Sequence, residues 1–327
     1  MDDDWQWSKV PKADRNHEPA ARSDRYPTEQ GLWSLLLCGG AGHHGLVDPQ
    51  RIVVPINPSD AYAQRALPTA VAAARLFTCG IELLHCVEDP HEVSVLHRVI
   101  EPIRSSLRLN HPDVVVRAST VVQPHAPEGI IAATQPAHLP VMATRARLLG
   151  FQHYLGSAAE TVVGKSGRPV LLVGPAAEAS RAFDFDAVIV AVSPTEPALA
   201  NIGIAEHWAQ RLDVPMVLVA VVGESDDPAT VQQDLETCIA GLRPPDAAPL
   251  SLRVVQSSHR SQTIRDLGST GLIVMNSHAR TGLSRLRNGS ITTEVVRGAK
   301  RAVLVTLIED QAVPQEPAPQ RPSAVQT

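Results

Sequence analysis

The sequence contains an internal repeat, and this feature limits the possible folds more than any other. The dipeptide Gly156-Ser157 recurs as Gly289-Ser290, 133 residues later. The last apolar run of each half begins 13 residues after that serine, at Val170 and at Val303. A spacing shared in this way indicates two copies of one structural plan. The length of 327 residues also suits two domains of ordinary size better than one.

Each half contains five short apolar runs separated by longer segments. The runs are Ile52–Ile56, Ile81–Val87, Val114–Val116, Leu139–Met142 and Val170–Val173, then Val188–Val192, Met216–Val222, Leu252–Val255, Leu272–Met275 and Val303–Leu307. Such runs predict strands covered on both faces, as in parallel α/β sheets. The segments between them repeat apolar residues at intervals of three and four, which is typical of amphipathic helices. Right-handed crossovers then give each half a doubly wound, five-stranded parallel sheet with helices on both faces.

The ends of the chain have a different composition from the repeated core. Residues 1–30 carry 12 charged side chains without apolar periodicity, and the C-terminal segment is rich in proline. We therefore predict a disordered arm at 1–48, domains at 49–175 and 187–308, a linker at 176–186 and a disordered tail at 309–327. One exception within the arm is an apolar cluster at Trp33 and Leu35–Leu37, which could dock on the first half or on a partner.

Composition excludes several classes of function. A net charge of -5 and an aromatic content of 3% argue against a nucleic-acid partner. The early apolar run Leu35–Cys38 is too short to cross a membrane, and the acidic start Asp2–Asp4 is unlike a secretion signal, so we expect a cytoplasmic protein. The four cysteines have no zinc-like spacing, so no metal site is predicted.

The segment Val274–Ser290, VMNSHARTGLSRLRNGS, is the most informative motif of the chain. It resembles the signature of the universal stress protein family: a strand ending in glycine, two residues, a second glycine, nine residues and Gly-Ser. The segments Arg51–Asn57 and Leu83–Val87 fit the same family. The resemblance covers about residues 50–175 and 186–308. It implies two tandem Rossmann-like domains of the adenine nucleotide alpha hydrolase type. Their last strands are expected to meet across a pseudo-two-fold axis as an intramolecular pseudo-dimer, with further homo-oligomerisation left open.

The same family divides into members that bind ATP and members that do not, and this sequence departs from the ATP-binding pattern in both halves. The two leading glycine positions hold Ala143 and Ala146 in the first half, and Asn276 and Ala279 in the second. The acidic residue after the first strand is replaced by Asn57 and by Ser193. Glycines let the backbone approach a phosphate closely, and each added Cβ narrows that space.

Any ATP site is expected to favour the second half. There Asn276, Ala279, Gly289 and Ser290 would form the phosphate loop, with Ser193 near the ribose or a metal. In the first half, Gly156 and Ser157 remain beside Asn57, but Ser157 and Glu160 also match a capping box that would simply begin a helix.

No spacing in the chain proposes a nucleophile with its base or a pair of catalytic carboxylates. The motif Gly40–Gly45 matches a dinucleotide fingerprint in letters, but a strand follows it where a helix is required. The sequence therefore favours a non-catalytic stress-response or signalling module with weak ATP binding in the second half. The alternative is a ligand-free interaction protein in which both nucleotide pockets are degenerate.

Overall fold

The computed structural model describes residues 48–57, 60–135, 137–145, 148–149, 152–153, 157–181, 183–192, 201–240, 249–278 and 291–308. The elements of the first half are β1 Arg51–Pro55, α1 Leu67–Leu76, β2 Gly80–Val87, α2 Val93–Asn110, β3 Val116–Val122, α3 Ala126–Ala133, β4 His138–Ala143, β5 Leu148–Leu149, β6 Gln152–His153, α4 Ser157–Lys165 and β7 Val170–Val173. Those of the second half are β8 Val188–Val192, α5 Ile202–Leu212, β9 Met216–Val222, α6 Pro228–Ala240, β10 Leu250–Gln256, α7 Arg260–Leu267, β11 Leu272–His278, α8 Ile291–Gly298 and β12 Val303–Ile308. Short 3₁₀ turns lie at Ala63–Ala66, Pro90–Glu92 and Ala179–Arg181.

Ten of these strands form one continuous sheet in the order β10-β9-β8-β11-β12-β7-β4-β1-β2-β3. All neighbouring strands are parallel except β7 and β12, which pair antiparallel at the centre. The remaining two, β5 and β6, form a small separate hairpin. The predicted α/β class with two doubly wound, five-stranded parallel halves is confirmed.

The strand register repeats between the halves. Ile52 of β1 is paired with Leu139 of β4, and Val188 of β8 is paired with Leu272 of β11. The last strands meet as predicted, because Leu171 of β7 is paired with Leu304 of β12. These two leucines are repeat equivalents, 133 residues apart, so a local two-fold axis passes through this pair.

The centre of the sheet is packed tightly enough to require a glycine. Gly174 follows β7, and a Cβ built on it would lie 1.8 Å from the carbonyl oxygen of Val296 in α8. Since no side chain fits at that distance, Gly174 allows the backbones of the two halves to approach each other.

Alternate strand residues enter two separate hydrophobic cores, one on each face of the sheet. One core contains Ile52 and Val54 together with buried residues of α1, α2 and α5. The other contains Val53 together with buried residues of α3, α4, α7 and α8. A strand that is buried on both faces consists of consecutive apolar residues, which explains the apolar runs in the sequence.

The third strand corrects one prediction. The apolar run Val114–Val116 marks only the entry to β3, which extends to Val122 through polar residues such as Arg117 and Ser119. β3 is an edge strand in which six of the seven residues are at least partly exposed, so it accommodates polar residues. The predicted domain limits stay a prediction, because the strands of both halves share one sheet.

Within the described residues, no helix is long and apolar enough to cross a membrane.

Candidate functional site

The strand order points to two equivalent crevices, one in each half. In open α/β sheets, ligands bind at the carboxyl ends of the strands where the connections switch direction. That point lies between β1 and β4 in the first half and between β8 and β11 in the second. The residues that follow these four strands therefore line the candidate sites.

Side chains of the protein itself cross the crevice of the first half. The hydroxyl of Tyr62, which follows β1, donates a hydrogen bond of 3.1 Å to the carbonyl of Thr144, which follows β4. Beside it, Arg145 forms an ion pair with Asp60, at 2.8 Å between Nη2 and Oδ1. The segments after β1 and β4 are thus joined directly over the crevice.

Two guanidinium groups hold the Tyr62 ring in place. Arg145 lies 4.6 Å from the ring centroid and Arg65 lies 5.2 Å from it. Arg65 also donates hydrogen bonds to the carbonyls of Pro175 and Ala177, which follow β7. Burial raises the pKa of Tyr62, and the two guanidinium groups only partly oppose this shift. The phenol therefore stays protonated at neutral pH and remains a donor to Thr144.

In the second half, the equivalent crevice contains buried polar groups. The hydroxyl of Thr306 in β12 lies 2.5 Å from Oδ1 of Asn201 and 2.7 Å from Oδ1 of Asn276. Thr306 and Asn201 are both almost fully buried, at 5% and 2% exposure. We call Asn201, Asn276 and Thr306 the polar triad.

The polar triad has more hydrogen-bonding capacity than its members satisfy. A hydroxyl carries a single hydrogen, so Thr306 can donate to only one of the two amide oxygens at a time. Nδ2 of Asn201 is buried and has no hydrogen-bond partner in the part of the chain that the structure describes. Asn201 also occupies the N-cap of α5 without a side-chain capping bond. A buried amide in this state costs free energy, so a polar ligand at the triad would be favoured.

The start of α8 borders the same crevice. Thr292 in its first turn donates a hydrogen bond of 3.1 Å to the carbonyl of Asn276. This bond fixes the end of β11 against the helix that follows the Gly289-Ser290 dipeptide in the chain. The positive end of the α8 dipole therefore lies close to the triad, where it favours an anionic group.

A direct comparison of the halves locates their difference. Asn276 in β11 is paired with Thr306 in β12, and the equivalent positions of the first half pair Ala143 in β4 with Val173 in β7. Equivalent positions of the sheet are thus occupied by a polar pair in the second half and by an apolar pair in the first half.

The predicted site residues have different outcomes. Asn276 lies in the crevice as predicted, and Asn57 lies exposed after β1. Ser157 is the first residue of α4, but its side chain is outside the described residues, so the proposed capping box stays a prediction. Five further predicted residues lie outside the described part of the chain: Gly156, Ser193, Ala279, Gly289 and Ser290.

Sequence reasoning missed Asn201 and Thr306 in the second half, and Tyr62, Asp60 and Arg145 in the first. A signal for Thr306 was present in the sequence. When the halves are aligned by their shared 13-residue spacing, Thr306 occupies the position equivalent to Val173. No comparable signal identifies Tyr62, whose role depends on the path of the segment after β1. His85 is buried in β2, with Nδ1 at 2.6 Å from the carbonyl oxygen of Ile56.

Comparisons with known proteins agree with this geometry. Residues 49–174 match the model of the Universal stress protein family. A universal stress protein from Archaeoglobus fulgidus DSM 4304 has a similar structure, with a TM-score of 0.57 and 15% identity over 80% of this chain and 99% of that one. A protein assigned to the same family from Pseudomonas aeruginosa UCBPP-PA14 gives a TM-score of 0.55 and 17% identity over 79% of this chain and 93% of that one.

A search of curated proteins found none that matches the chain. The two structural likenesses, at these identities, show the fold, and the family model matches the first half of the chain. The second half repeats the strand order and register of the matched first half. Residues 49–174 therefore form a domain of the universal stress protein family, and the second half of the chain repeats the strand order and register of that domain.

Proposed function

We propose that the chain is a non-catalytic, cytoplasmic stress-response module that binds one adenine nucleotide, in the crevice of its second half. In this proposal the first half keeps the fold but does not bind a nucleotide. In this proposal the nucleotide acts as a bound effector and no reaction is carried out on it.

The observation that carries the proposal is the incomplete hydrogen bonding of the polar triad. Asn201 and Thr306 are buried at the switch point of the second half, and an amide nitrogen there lacks a partner among the described residues. A buried amide nitrogen without a partner, next to a hydroxyl and a second amide, is suited to hold a polar atom of a ligand. The family resemblance supplies the class of that ligand, an adenine nucleotide.

The contacts of the first half support the loss of the other site. A nucleotide placed between β1 and β4 would have to displace the hydrogen bond from Tyr62 to Thr144 and the ion pair between Asp60 and Arg145. It would also meet Ala143 and Val173 where the second half offers Asn276 and Thr306.

Titration calorimetry with ATP and magnesium tests the proposal, preceded by mass spectrometry of the supernatant released from the purified protein by heat. We expect about one bound nucleotide per chain. Replacement of Gly289 by Val should abolish binding, because a branched side chain would fill the predicted phosphate loop. The matched change Gly156→Val in the first half should leave the affinity unchanged. The opposite pattern would reverse the assignment of the halves.

The second candidate function is a ligand-free interaction protein. It is favoured by the replacement of both leading glycines, at Ala143 and Ala146 and at Asn276 and Ala279. This candidate predicts no released nucleotide and no heat of binding, so the same titration distinguishes the two functions.

A further inference from the structure

A cavity of about 700 Å³ lies at the amino-terminal edge of the sheet, away from both crevices. Its apolar wall comes from the end of α1 and the starts of β2 and β3, and includes Phe77, Val114 and Val115. Arg75 and Asp113 form its charged rim through a two-pronged ion pair, with distances of 2.6 and 2.9 Å. A cavity of this size is large enough for one or two large apolar side chains.

One wall of the cavity belongs to the seam between the halves. Phe77 packs edge-on against Trp208 of α5, with 4.9 Å between the ring centroids. Val115, on the open side, is 63% exposed, an unusual amount for a valine beside an apolar cavity. The side chain of Val115 is therefore apolar surface at the cavity that the described residues leave uncovered, whereas Phe77 and Val114 are already buried.

The chain enters the described structure at the rim of this cavity. Asp48 lines the cavity and is held there by the second half. Arg211 of α5 forms an ion pair with both of its carboxylate oxygens, and Nε2 of His207 lies 3.0 Å from Oδ1. The point at which the N-terminal arm leaves the folded core is thus fixed.

The composition of the arm next to that point suits the cavity. Residues 1–29 contain 12 charged side chains, whereas residues 30–47 contain no Asp, Glu, Lys or Arg. The uncharged part includes Trp33 and Leu35–Leu37, which are large apolar side chains. Burying them would release water from apolar surface on both sides of the contact.

The length of chain between this cluster and Asp48 permits the contact. Eleven peptide units separate Leu37 from Asp48, and the intervening residues include Gly39, Gly40, Gly42 and Gly45. A flexible chain of that length has a root-mean-square end-to-end distance of about 18 Å. A linker of that length would allow the cluster to reach the cavity at an effective concentration of about millimolar.

We propose that the cavity beside Asp48 is a docking site for the apolar cluster Trp33–Leu37 of the same chain. Docking would cover Val115 and would add contacts beside the seam between the halves.

Truncation and substitution test this proposal on the purified full-length chain. Removing residues 1–30 should leave the melting temperature unchanged, and removing residues 1–45 should lower it by several degrees. Val115→Asp, which places a carboxylate on the cavity wall, should lower it by a similar amount in the full chain and should have no effect in the chain that lacks 1–45. The matched control is Val122→Asp at the other end of β3, an exposed valine away from the cavity, which should act equally in both chains.

Trp33 fluorescence gives a second readout in a chain in which Trp5 and Trp7 are replaced by Phe. The spectrum of the same chain with Trp33→Phe, in which only the buried Trp208 emits, is subtracted to leave the emission of Trp33. We expect blue-shifted, quencher-protected emission that turns to a water-exposed spectrum with Val115→Asp. A water-exposed spectrum in the unmodified cavity would overturn the proposal. Protection that survives Val115→Asp, or that disappears on strong dilution, would also overturn it, because the cluster would then dock elsewhere or on a second copy.

Discussion

The two halves of the molecule share one arrangement of strands and differ in the residues that they place at the carboxyl ends of equivalent strands. Both contain five parallel strands in the same order, and the register between their first and fourth strands is the same. At the carboxyl end of the fourth and fifth strands, however, the first half pairs Ala143 with Val173 and the second pairs Asn276 with Thr306. Two substitutions on neighbouring strands thus change an apolar crevice floor into a polar one.

A further difference lies in the segment after the first strand. In the first half this segment brings Tyr62 and Asp60 across to the loop after β4. In the second half the described chain resumes at Asn201, which turns inward to Thr306. The comparison teaches that a repeated fold can bridge one crevice with its own side chains, while in the other a buried amide nitrogen has no partner among the described residues.

The largest effect is expected from disrupting the close packing between the halves at the centre of the sheet. Gly174→Val should lower the free energy of unfolding by at least about 3 kcal/mol, because its Cβ would lie 1.8 Å from the Val296 carbonyl. Gly164→Ala in α4 is the control, since its Cβ would meet no atom within 4 Å. That change should be neutral or stabilise the chain slightly. Urea denaturation of both variants measures the difference, and equal midpoints would show that the centre of the sheet is not tightly packed.

The next largest effect is expected when the crevice residues of the second half are replaced by apolar residues like those of the first half. The double change Asn276→Ala with Thr306→Val should cost about 1–3 kcal/mol, because Asn201 would lose its remaining buried partner. Nucleotide affinity should fall at least about tenfold, the equivalent of 1.4 kcal/mol. Denaturation and calorimetry on the same samples separate the two losses. Unchanged affinity in a folded double variant would remove the triad from the site.

The smallest effect comes from loosening the first crevice. Tyr62→Phe removes the hydrogen bond to Thr144 and keeps the ring between the two guanidinium groups, so it should cost about 0.5–1.5 kcal/mol. Asp60→Asn removes a partly exposed ion pair and should cost less, at most about 1 kcal/mol. We expect no second nucleotide to bind in either variant, because Ala143 and Val173 remain. A second binding event in the titration would show that Tyr62 alone closes this site.

The sequence predicted the strands and the core better than it predicted the residues that line the crevices, for a physical reason. Strands such as Val170–Val173 are buried on both faces, so their apolar runs and the spacing from Gly156-Ser157 predict the strands of the core. The antiparallel contact of Leu171 with Leu304 followed from the family resemblance, which placed the last strands together.

The crevices depend on which side chains the loops bring together across the sheet edge. Asn276 could be found because it stands in the signature segment. Asn201 and Tyr62 could not, because they lie in connecting segments where neither periodicity nor a motif marks them. The strand β3 was placed too early, since this largely exposed edge strand contains polar residues and only its entry continues the predicted apolar run.

Hydrogen exchange of the full chain, followed by mass spectrometry with and without saturating ATP and magnesium, tests the central claim most directly. We predict added protection in β11 and the first turn of α8, around Asn276 and Thr292, and at the N-terminus of α5. Residues 138–145, at the equivalent edge of the first half, should exchange at the same rate in both samples. Protection of residues 138–145, or the absence of any nucleotide-dependent change, would contradict the account that the second half alone retains a nucleotide site.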